Sequence, residues 1–573
     1  METESKPGPP DSIARAGSQR MSFLAALAVA VASGLIAFAF NQLIVQKRQP
    51  IFDSVSYLER MHRVMSFTVR NGHGAGLKEA VVGNTVCLPY LAVLPFSEFV
   101  RPGRWIGIVF QSVGVAMFLL LLDRWMVWAG VLRCHSRVIA LTSFAALEMV
   151  WFTNGGLSDF RMDFSLMLGY GMTAMAAGLA LRSEAKLAWL MCGVVAAGTC
   201  LVRGTAPVYL AAALVPVWLV HFAFGRRQLA GVCLATGSCA VLCGWFYWIN
   251  FEYLKYYYLV WNTDANASLD WSTTWRHFLM VSRQAGVPFM AGTLVLGGLA
   301  WKWRTKTPAS EADARNARGM NAEMLWCAAV PMVLLIGKGA GINPFVSMPT
   351  MIALFIALAT LLGRLLERLD RPQTMIVVTV VCLMIGGALG RGIKKHGWPK
   401  DQFMQANQQI ISDLVADAKK SGLANARFGG LQTCDIHTDS LWGVVLYDRP
   451  DVRVDGQIVW IGETRLEPIR MFMLPAQANW DEVDGTNDEQ KRRSLVSRVE
   501  LEFEYLIMPD ETTASAIQQS GVSDVINQHI PAIRALVVSE VEVELLGEYS
   551  SPNSPNRYQL FRVGERKWGK QGD

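Results

Sequence analysis

Long apolar stretches separated by short polar segments fill the first two thirds of the chain. The first runs from residue 22 to residue 45, and others cover residues 105–128, 138–154, 164–181, 187–202, 205–224, 229–249, 280–301, 323–343, 345–363 and 373–390. Because a helix needs about 20 apolar residues to cross a bilayer, the pattern predicts about eleven membrane-spanning helices. The first stretch exceeds the length of a signal peptide core and indicates a retained span.

The pattern changes near residue 390, beyond which helix-like and strand-like segments alternate. The segment 401–422 places apolar side chains on one helical face before a glycine, Gly422. Strand-like runs follow at ARFGGLQTC, VRVDGQIVWI, LEFEYLIMPD, ALVVSEVEVELLGEY and RYQLFRV. We therefore predict a mainly α polytopic membrane protein, with its transmembrane module in residues 21–392 and a C-terminal α/β domain in residues 400–573.

Composition agrees with this division. Of 573 residues, 52% are hydrophobic and only 17% are charged, and the mean hydropathy of +0.27 is too high for a soluble protein of this length. The net charge of +6 is spread through loops, which argues against nucleic-acid binding. Residues 1–20 are polar and rich in Pro and Gly, and predict a disordered cytoplasmic tail.

Basic residues in the short loops predict the orientation of the spans, since such residues are retained in the cytoplasm. They fall in alternate loops, at Arg133 and Arg137, Arg182 and Lys186, Arg226 and Arg227, the KWRTK segment, and Arg364 to Arg371. The N-terminus is therefore expected in the cytoplasm and the C-terminal domain outside it. Three polar segments, residues 46–104, 153–163 and 250–278, are expected together on the outer side.

The first outer segment contains a candidate catalytic acid. Asp53 precedes Tyr57 and a series of apolar residues at helical spacing, which predicts a short interfacial helix starting just after Asp53. An acid at this position equally fits a helix cap, so the local pattern alone leaves both interpretations open.

The second outer segment combines acids with a cation. Asp159, Arg161 and Asp163 lie where the third span ends and the fourth begins. Two carboxylates around a guanidinium can orient a hydroxyl group and neutralise a phosphate. Capping of the fourth helix is an alternative role for Asp163.

Three further ionisable residues lie in or beside spans. Arg203 and Lys338 are expected near the outer surface, where they could grip a phosphate or extend toward lipid head groups. Glu148 lies within the third span, where an ionisable residue suggests function, although pairing with Arg203 or Arg283 is equally consistent.

Most of the ten cysteines lie inside apolar spans, where a free thiol behaves as a small hydrophobe. No metal-type spacing appears among them. Cys87 and Cys434 fall in the two large polar regions and could pair if those regions meet.

These features together resemble the GT-C superfamily of membrane glycosyltransferases. The resemblance rests on the apolar first span, on Asp53 followed by S-x-x-Y, on the acidic cluster opening the fourth span, on the Arg203-Gly204 pair and on the outer C-terminal domain. It is greatest to the bacterial group of lipid A aminoarabinose transferase, protein O-mannosyltransferases and lipid A galacturonosyltransferases. This implies a bacterial inner membrane location, multi-pass, with a periplasmic or extracytoplasmic C-terminal domain.

The resemblance also implies roles for individual residues. Asp53 matches the first-loop acid at the reaction centre and would be the general base of an inverting transfer, and Asp163 matches the second acid. The expected substrate contacts are Tyr57, Asp159, Arg161, Arg203 and Lys338. The donor would be a polyprenyl-phosphate sugar, and the acceptor a glycolipid, polysaccharide or protein. Ser54 stands where many relatives have a second adjacent acid, so we expect no cofactor and place a divalent metal in doubt.

A multi-span transporter or flippase for a lipid-linked or small polar substrate is the main alternative. It would place ionisable residues at mid-membrane within broken helices, whereas most acids here lie in loops at one surface. Glu148 is the exception. A sensor or assembly scaffold is a third possibility, favoured if Asp53 and Asp163 are dispensable.

Overall fold

The structure is a computed structural model of the 573-residue chain. It describes residues 10–43, 53–99, 104–151, 156–158, 161–183, 185–223, 228–255, 275, 279, 286–303, 311–338, 348–396, 404–422, 428–431, 452–455, 458–461, 464–466, 472–473, 485, 487–519, 529–550 and 555–564.

The chain divides into two compact units. The first contains Met1–Gln42 and His73–Trp398, and the second contains Leu43–Gly72 and Pro399–Asp573. The helix that opens the first outer segment therefore belongs with the C-terminal domain, whereas the rest of that segment belongs with the transmembrane module.

The described part of the first unit is helical. Its helices are α1 (Pro10–Leu43), α3 (His73–Val81), α4 (Leu88–Val93), α5 (Arg104–Trp128), α6 (Cys134–Thr142), α7 (Met162–Ala180), α8 (Lys186–Val202), α9 (Ala206–Ala223), α10 (Leu229–Ile249), α11 (Phe251–Lys255), α12 (Val287–Lys302), α13 (Glu311–Lys338), α14 (Met348–Leu366) and α15 (Arg371–His396). Helix α2 (Asp53–Asn71) lies in the second unit.

The length and composition of these helices fit a multi-pass membrane protein. Within the described residues, six helices are long and apolar enough to cross a membrane, and three shorter helices are also apolar. Large apolar side chains point outward from them, with Trp248 86%, Val241 78% and Leu294 75% exposed. Exposed apolar surface on this scale is typical of helices that contact lipid. The predicted polytopic class with a C-terminal α/β domain is confirmed.

Close backbone approach holds the centre of the bundle together. A Cβ at Gly169 in α7 would lie 2.7 Å from Thr199 Oγ1 in α8, and the hydroxyl oxygens of Thr173 and Thr199 are 3.0 Å apart. Small residues that let helices approach are typical of membrane interfaces. An aromatic cluster continues the core, with the rings of Phe144 and Phe355 5.5 Å apart.

The predicted third span is not a continuous helix. Helix α6 ends at Thr142, and two short 3-10 helices follow at Ser143–Ala146 and Glu148–Trp151, separated by Leu147 in an extended conformation. Irregular backbone is tolerated at membrane depth where protein surrounds it, and every residue of these two short helices is buried. The prediction of one uninterrupted span was wrong here.

The second unit contains the C-terminal α/β domain. Its described elements there are α16 (Met404–Lys420), β1 (Phe428–Gly430), β2 (Val452–Asp455), β3 (Ile458–Ile461), β4 (Thr464–Leu466), β5 (Phe472–Met473), α17 (Asp488–Glu502), β6 (Tyr505–Pro509), α18 (Glu511–Gln519), α19 (Ile530–Glu540), β7 (Val543–Ser550) and β8 (Arg557–Val563). A mixed sheet has the order β5-β1-β6-β8-β7, and β2-β3-β4 form an antiparallel sheet.

Several boundaries differ from the sequence predictions. The run VRVDGQIVWI forms two strands, β2 and β3, and LEFEYLIMPD begins inside helix α17. The run ALVVSEVEVELLGEY contains the end of helix α19 before strand β7. The apolar residues of α19 from Ile530 to Val537 repeat at helical spacing and pack into the domain core. A short apolar run does not distinguish a buried strand from a helix. Helix α1 begins at Pro10, inside the segment predicted to be disordered.

Candidate functional site

An ion-pair cluster lies where α7 begins. Arg161 Nε is 3.4 Å from Asp163 Oδ2, and Arg203 Nη1 is 3.3 Å from Asp163 Oδ1. Each carboxylate oxygen thus faces its own guanidinium. Asp163 and Arg161 are buried, whereas the Arg203 side chain keeps 18% exposure.

Arg161 and Asp163 are positioned by the start of helix α7. Arg161 is the N-cap residue in an extended conformation and makes no side-chain cap bond, and Asp163 lies in the first turn. An acid in the first turn favours the helix dipole, but its oxygens bind guanidinium groups, so capping does not account for its contacts. Gln111 of α5 donates from Nε2 to the backbone oxygen of Arg161 at 3.1 Å, which fixes the turn against α5.

Arg203 is held by the corner between α8 and α9. It follows the last residue of α8 in an extended conformation. The first outer segment brackets it, because Gly204 N donates to Thr85 O at 2.8 Å and Cys87 N donates to Leu201 O at 2.8 Å. These bonds set the position of the guanidinium beside Asp163.

Two buried asparagines join the polar segments to each other. Asn250, at the end of α10, donates to Val81 O at 2.9 Å and accepts from Gly83 N at 2.8 Å. Asn41, in the last turn of α1, donates to Ser158 O at 3.0 Å. Described residues from all three predicted outer segments therefore meet at one end of the first unit.

The cluster carries two guanidinium groups and one carboxylate, so Arg161, Arg203 and Asp163 together have a formal charge of +1. A site of this kind attracts an anion, and guanidinium groups suit phosphate oxygens because they offer several donors in a fixed plane. The carboxylate is placed to orient those donors and to accept a hydrogen bond from a hydroxyl group.

Glu148 lies in a second ion pair at the break in the third span. Its Oε1 is 3.1 Å from Arg391 Nε on α15, and its side chain is 1% exposed. Gly286, which precedes α12, has φ +85°, and a Cβ there would overlap Glu148 Oε2. Glycine is therefore required both by the backbone conformation and by the carboxylate beside it. Arg391 is thus a described partner of Glu148, and Arg283 lies outside the described residues.

For the remaining predicted site residues, the structure gives the helix on which each lies or does not describe them. Asp53 is the first residue of α2, as the spacing predicted, and Tyr57 on the same helix is half-buried. Lys338 is the last residue of α13, and Asp159 lies outside the described residues. Asp53 and Asp163 belong to different units. Their assignment to one reaction centre stays a prediction.

Sequence reasoning missed Gln111, Asn250 and Arg391. Gln111 and Asn250 are uncharged residues inside or at the end of apolar stretches, where a buried amide signals a hydrogen-bond partner but not its identity. Arg391 begins a basic run, RGIKKH, one residue after the predicted end of the last span. Basic residues beside a span are usually retained in the cytoplasm, but this end of the last span is predicted to face outward. That exception was the sequence signal for a buried partner of Arg391.

No protein-family model matches the sequence, and no curated protein matches it significantly. Among solved structures, the chain is similar to the oligosaccharyltransferase of Archaeoglobus fulgidus in its apo form, with 12% identity, a TM-score of 0.46, and coverage of 95% of this chain and 75% of that chain. The values are nearly the same for that enzyme tethered to an acceptor peptide, with 12% identity, a TM-score of 0.46, and coverage of 95% and 74%. For its complex with an inhibitory peptide and a dolichol-phosphate, the identity is 12%, the TM-score 0.44, and the coverage 95% and 74%.

Proposed function

We propose that this protein is a membrane glycosyltransferase of the GT-C type, moving a sugar from a polyprenyl-phosphate donor to a glycolipid, polysaccharide or protein acceptor on the outer side of the membrane. The observation that carries this proposal is the placement of Asp163 between Arg161 and Arg203, where the three polar segments meet. The resemblance of the sequence to the GT-C superfamily supplies the reaction type.

The guanidinium groups of Arg161 and Arg203 have different roles at the donor phosphate. Arg161 is buried and its backbone oxygen accepts a hydrogen bond from Gln111, so its guanidinium holds Asp163 in place. The Arg203 side chain is 18% exposed, against 7% for Arg161, so a phosphate oxygen can reach its guanidinium. As the bond between sugar and phosphate breaks, Arg203 stabilises the charge that develops on the leaving phosphate. Lys338 serves as a second cation for the same phosphate.

The remaining residues act on the sugar and the acceptor. Asp53 is the general base that accepts the proton of the attacking hydroxyl on the face of the sugar opposite the phosphate, which inverts the anomeric centre. Asp163 is the second acid of the centre and accepts a hydrogen bond from a sugar hydroxyl. Tyr57, one turn after Asp53 on α2, and Asp159 contact the substrate.

We propose that transfer needs no divalent metal. Both oxygens of Asp163 face guanidinium groups, and among the described residues no group of carboxylates converges beside them. Mg²⁺ and Ca²⁺ select sites rich in oxygen ligands, whereas the described neighbours of the Asp163 carboxylate are guanidinium groups. Transfer in the presence of a chelator such as EDTA should therefore equal transfer without it.

The decisive experiment substitutes the proposed base. Asp53→Asn, tested in membranes with a panel of synthetic polyprenyl-phosphate sugars, should reduce release of polyprenyl phosphate by about 100-fold to 10,000-fold, as expected for loss of a general base. Glu59→Gln on the same helix α2 is the matched control and should retain the wild-type rate. Wild-type release by Asp53→Asn would remove Asp53 as the base.

One observation favours the transporter or flippase as a second candidate. The third span breaks beside a buried acid, Glu148, whose carboxylate pairs with Arg391, and broken helices with ionisable residues at mid-membrane are typical of transporters. In liposomes, movement of a labelled polyprenyl-phosphate lipid across the bilayer that is abolished by Glu148→Gln, without any sugar transfer, would favour this function over the first.

A further inference from the structure

Three cysteines from two helices converge in the first unit, away from the ion-pair cluster. Cys200 lies in the last turn of α8, and Cys239 and Cys243 are four residues apart on α10. Their sulfur atoms all lie within 4.8 Å of one another, and the Cys239 and Cys243 sulfurs are 3.8 Å apart. The sequence shows only the spacing on α10, because Cys200 joins the group through helix packing.

The cysteines line a cavity of about 760 Å³ between α8, α9 and α10. Its wall is largely apolar and includes Leu210 and Leu214 from α9. Lys255 is a charged residue of the lining. Tyr247 of α10 donates its hydroxyl to Cys200 O at 2.9 Å, which fixes the end of α8 against α10. The thiols are therefore held on one wall of an open cavity rather than packed into separate parts of the core.

The sulfur spacing suits a bound metal ion. A metal–sulfur bond of about 2.3 Å places sulfur ligands about 3.8 to 4.0 Å apart in tetrahedral or trigonal geometry, which the Cys239 and Cys243 sulfurs already match. Soft thiolate ligands select Cu(I) or Zn²⁺. Structural zinc sites are almost always four-coordinate, and within the described residues the cluster consists of three ligands.

We propose that Cys200, Cys239 and Cys243 form a three-coordinate binding site for Cu(I). Each thiol that becomes a thiolate ligand releases one proton to solvent as a copper–sulfur bond replaces its sulfur–hydrogen bond, and copper stays in the +1 state. The bound ion joins α8 to α10. Because Cys200 lies three residues before Arg203, it also fixes the corner that carries Arg203.

The first test measures Cu(I) binding to the purified, reduced full-length chain in detergent, in competition with bicinchoninate. We expect one Cu(I) per chain. Since loss of even an outer contact of a metal ligand weakens binding by about 10-fold to 100-fold, Cys239→Ser and Cys243→Ser should each weaken it by about 100-fold. Cys233→Ser is the matched control, because Cys233 lies on the same helix, is exposed and is outside the cluster. It should bind as the wild type does.

Absence of Cu(I) binding to the wild type, or equal binding by Cys239→Ser, would overturn the proposal. Tighter binding of Zn²⁺ than of Cu(I) by the wild-type chain, with each metal titrated separately, would also overturn it.

A second measurement uses only the wild-type chain and does not depend on how the variants fold. Bound Cu(I) should protect Cys239, the partly exposed thiol of the cluster, from N-ethylmaleimide, with Cys233 labelled to the same extent with and without copper, as read by mass spectrometry of the peptides. X-ray absorption should show sulfur ligands alone around copper. Oxygen or nitrogen ligands around copper, or labelling of Cys239 that copper does not reduce, would contradict the site.

Discussion

Both ends of the helical bundle pair acids with arginines, but they do so differently. At the site end, defined by Asp163, Arg161 and Arg203, the ion-pair distances are 3.3 and 3.4 Å. At the other end, Asp123 of α5 accepts from Arg137 Nε at 2.7 Å. Asp123 lies twelve residues along α5 from Gln111, a distance of roughly 18 Å at 1.5 Å per residue.

The second ion-pair group of this other end is equally tight. Glu323 of α13 accepts from Arg182 Nη2 at 2.7 Å and Nη1 at 2.9 Å, and lies 2.8 Å from His221 Nε2. Arg182 also donates to Gly178 O at 2.8 Å. We call the Asp123–Arg137 and Glu323–Arg182–His221 groups together the anchor end.

The difference separates a structural ion pair from a binding one. At the anchor end each guanidinium also donates to nearby backbone carbonyl oxygens, as Arg137 does to Leu132 O at 2.7 Å. The guanidinium groups of the anchor end therefore stabilise the fold. At the site end the Arg203 side chain is 18% exposed, against 3% for Arg137 and 5% for Arg182. Burial of an ion pair is thus poor evidence for function, whereas a partly exposed arginine beside a buried acid is a candidate for ligand binding.

The largest expected effect is on stability at the anchor end. Arg137→Ala should lower the free energy of unfolding by about 3–5 kcal/mol, because it leaves the Asp123 carboxylate buried without its guanidinium. Denaturant unfolding in mixed micelles measures this change. Sugar transfer per folded molecule should remain at the wild-type rate.

The double variant Asp123→Leu with Arg137→Met is the control for that interpretation. Replacing both members of a buried pair by apolar residues is often neutral, so most of the lost stability should return. A double variant as unstable as Arg137→Ala would show that the pair itself, rather than the unpaired charge, supplies the stability.

The second effect is on transfer at the site end. Arg203→Ala should reduce the transfer rate by about 100-fold, as expected when one donor to a developing charge is removed, with a smaller loss of stability than Arg137→Ala. Arg203→Lys should recover part of the rate, because it keeps the charge but not the planar donors. A wild-type transfer rate in Arg203→Ala would mean that Arg203, like Arg137, has only a structural role, and would contradict a binding role for the site end.

The sequence predicted those parts of the fold that depend on local pattern. Apolar stretches of helical length predicted most spans, and α10 was predicted from 229 to 249 as observed. The helix after Asp53 followed from apolar spacing alone, and α2 begins at that residue. The grouping of Arg161 and Asp163 was visible because the two residues are neighbours in the chain.

The rest depended on contacts between distant parts of the chain. Arg203 was predicted as a phosphate ligand, but its contact with Asp163 joins residues forty positions apart. The break in the third span follows from the buried surroundings of Glu148, including an arginine on α15. Hydropathy describes each stretch separately and does not show which polar groups find partners across the bundle.

A smaller effect is expected from the second group of the anchor end. Glu323→Gln keeps the shape and hydrogen-bonding capacity of the side chain but removes the charge shared by Arg182 and His221. Charge-assisted bonds contribute about 1.5–3 kcal/mol where neutral ones contribute less, so the free energy of unfolding should fall by about 1–3 kcal/mol. The transfer rate should not change. A fall in rate without loss of stability would place function at this end as well.

The smallest effect tests whether the polar segments of the site end are joined through one side chain. Asn250→Ala removes the bonds to Val81 O and Gly83 N, at a cost of about 1–2 kcal/mol for two neutral hydrogen bonds. The loss should be local, because the main ion pairs of both ends remain. Hydrogen–deuterium exchange of the peptide that contains Gly83 should therefore accelerate, with exchange around Arg137 unchanged. Unchanged exchange at Gly83 would mean that Thr85 and Cys87, bonded to the α8–α9 corner, hold this segment without Asn250, and that the site end is fixed by its backbone contacts.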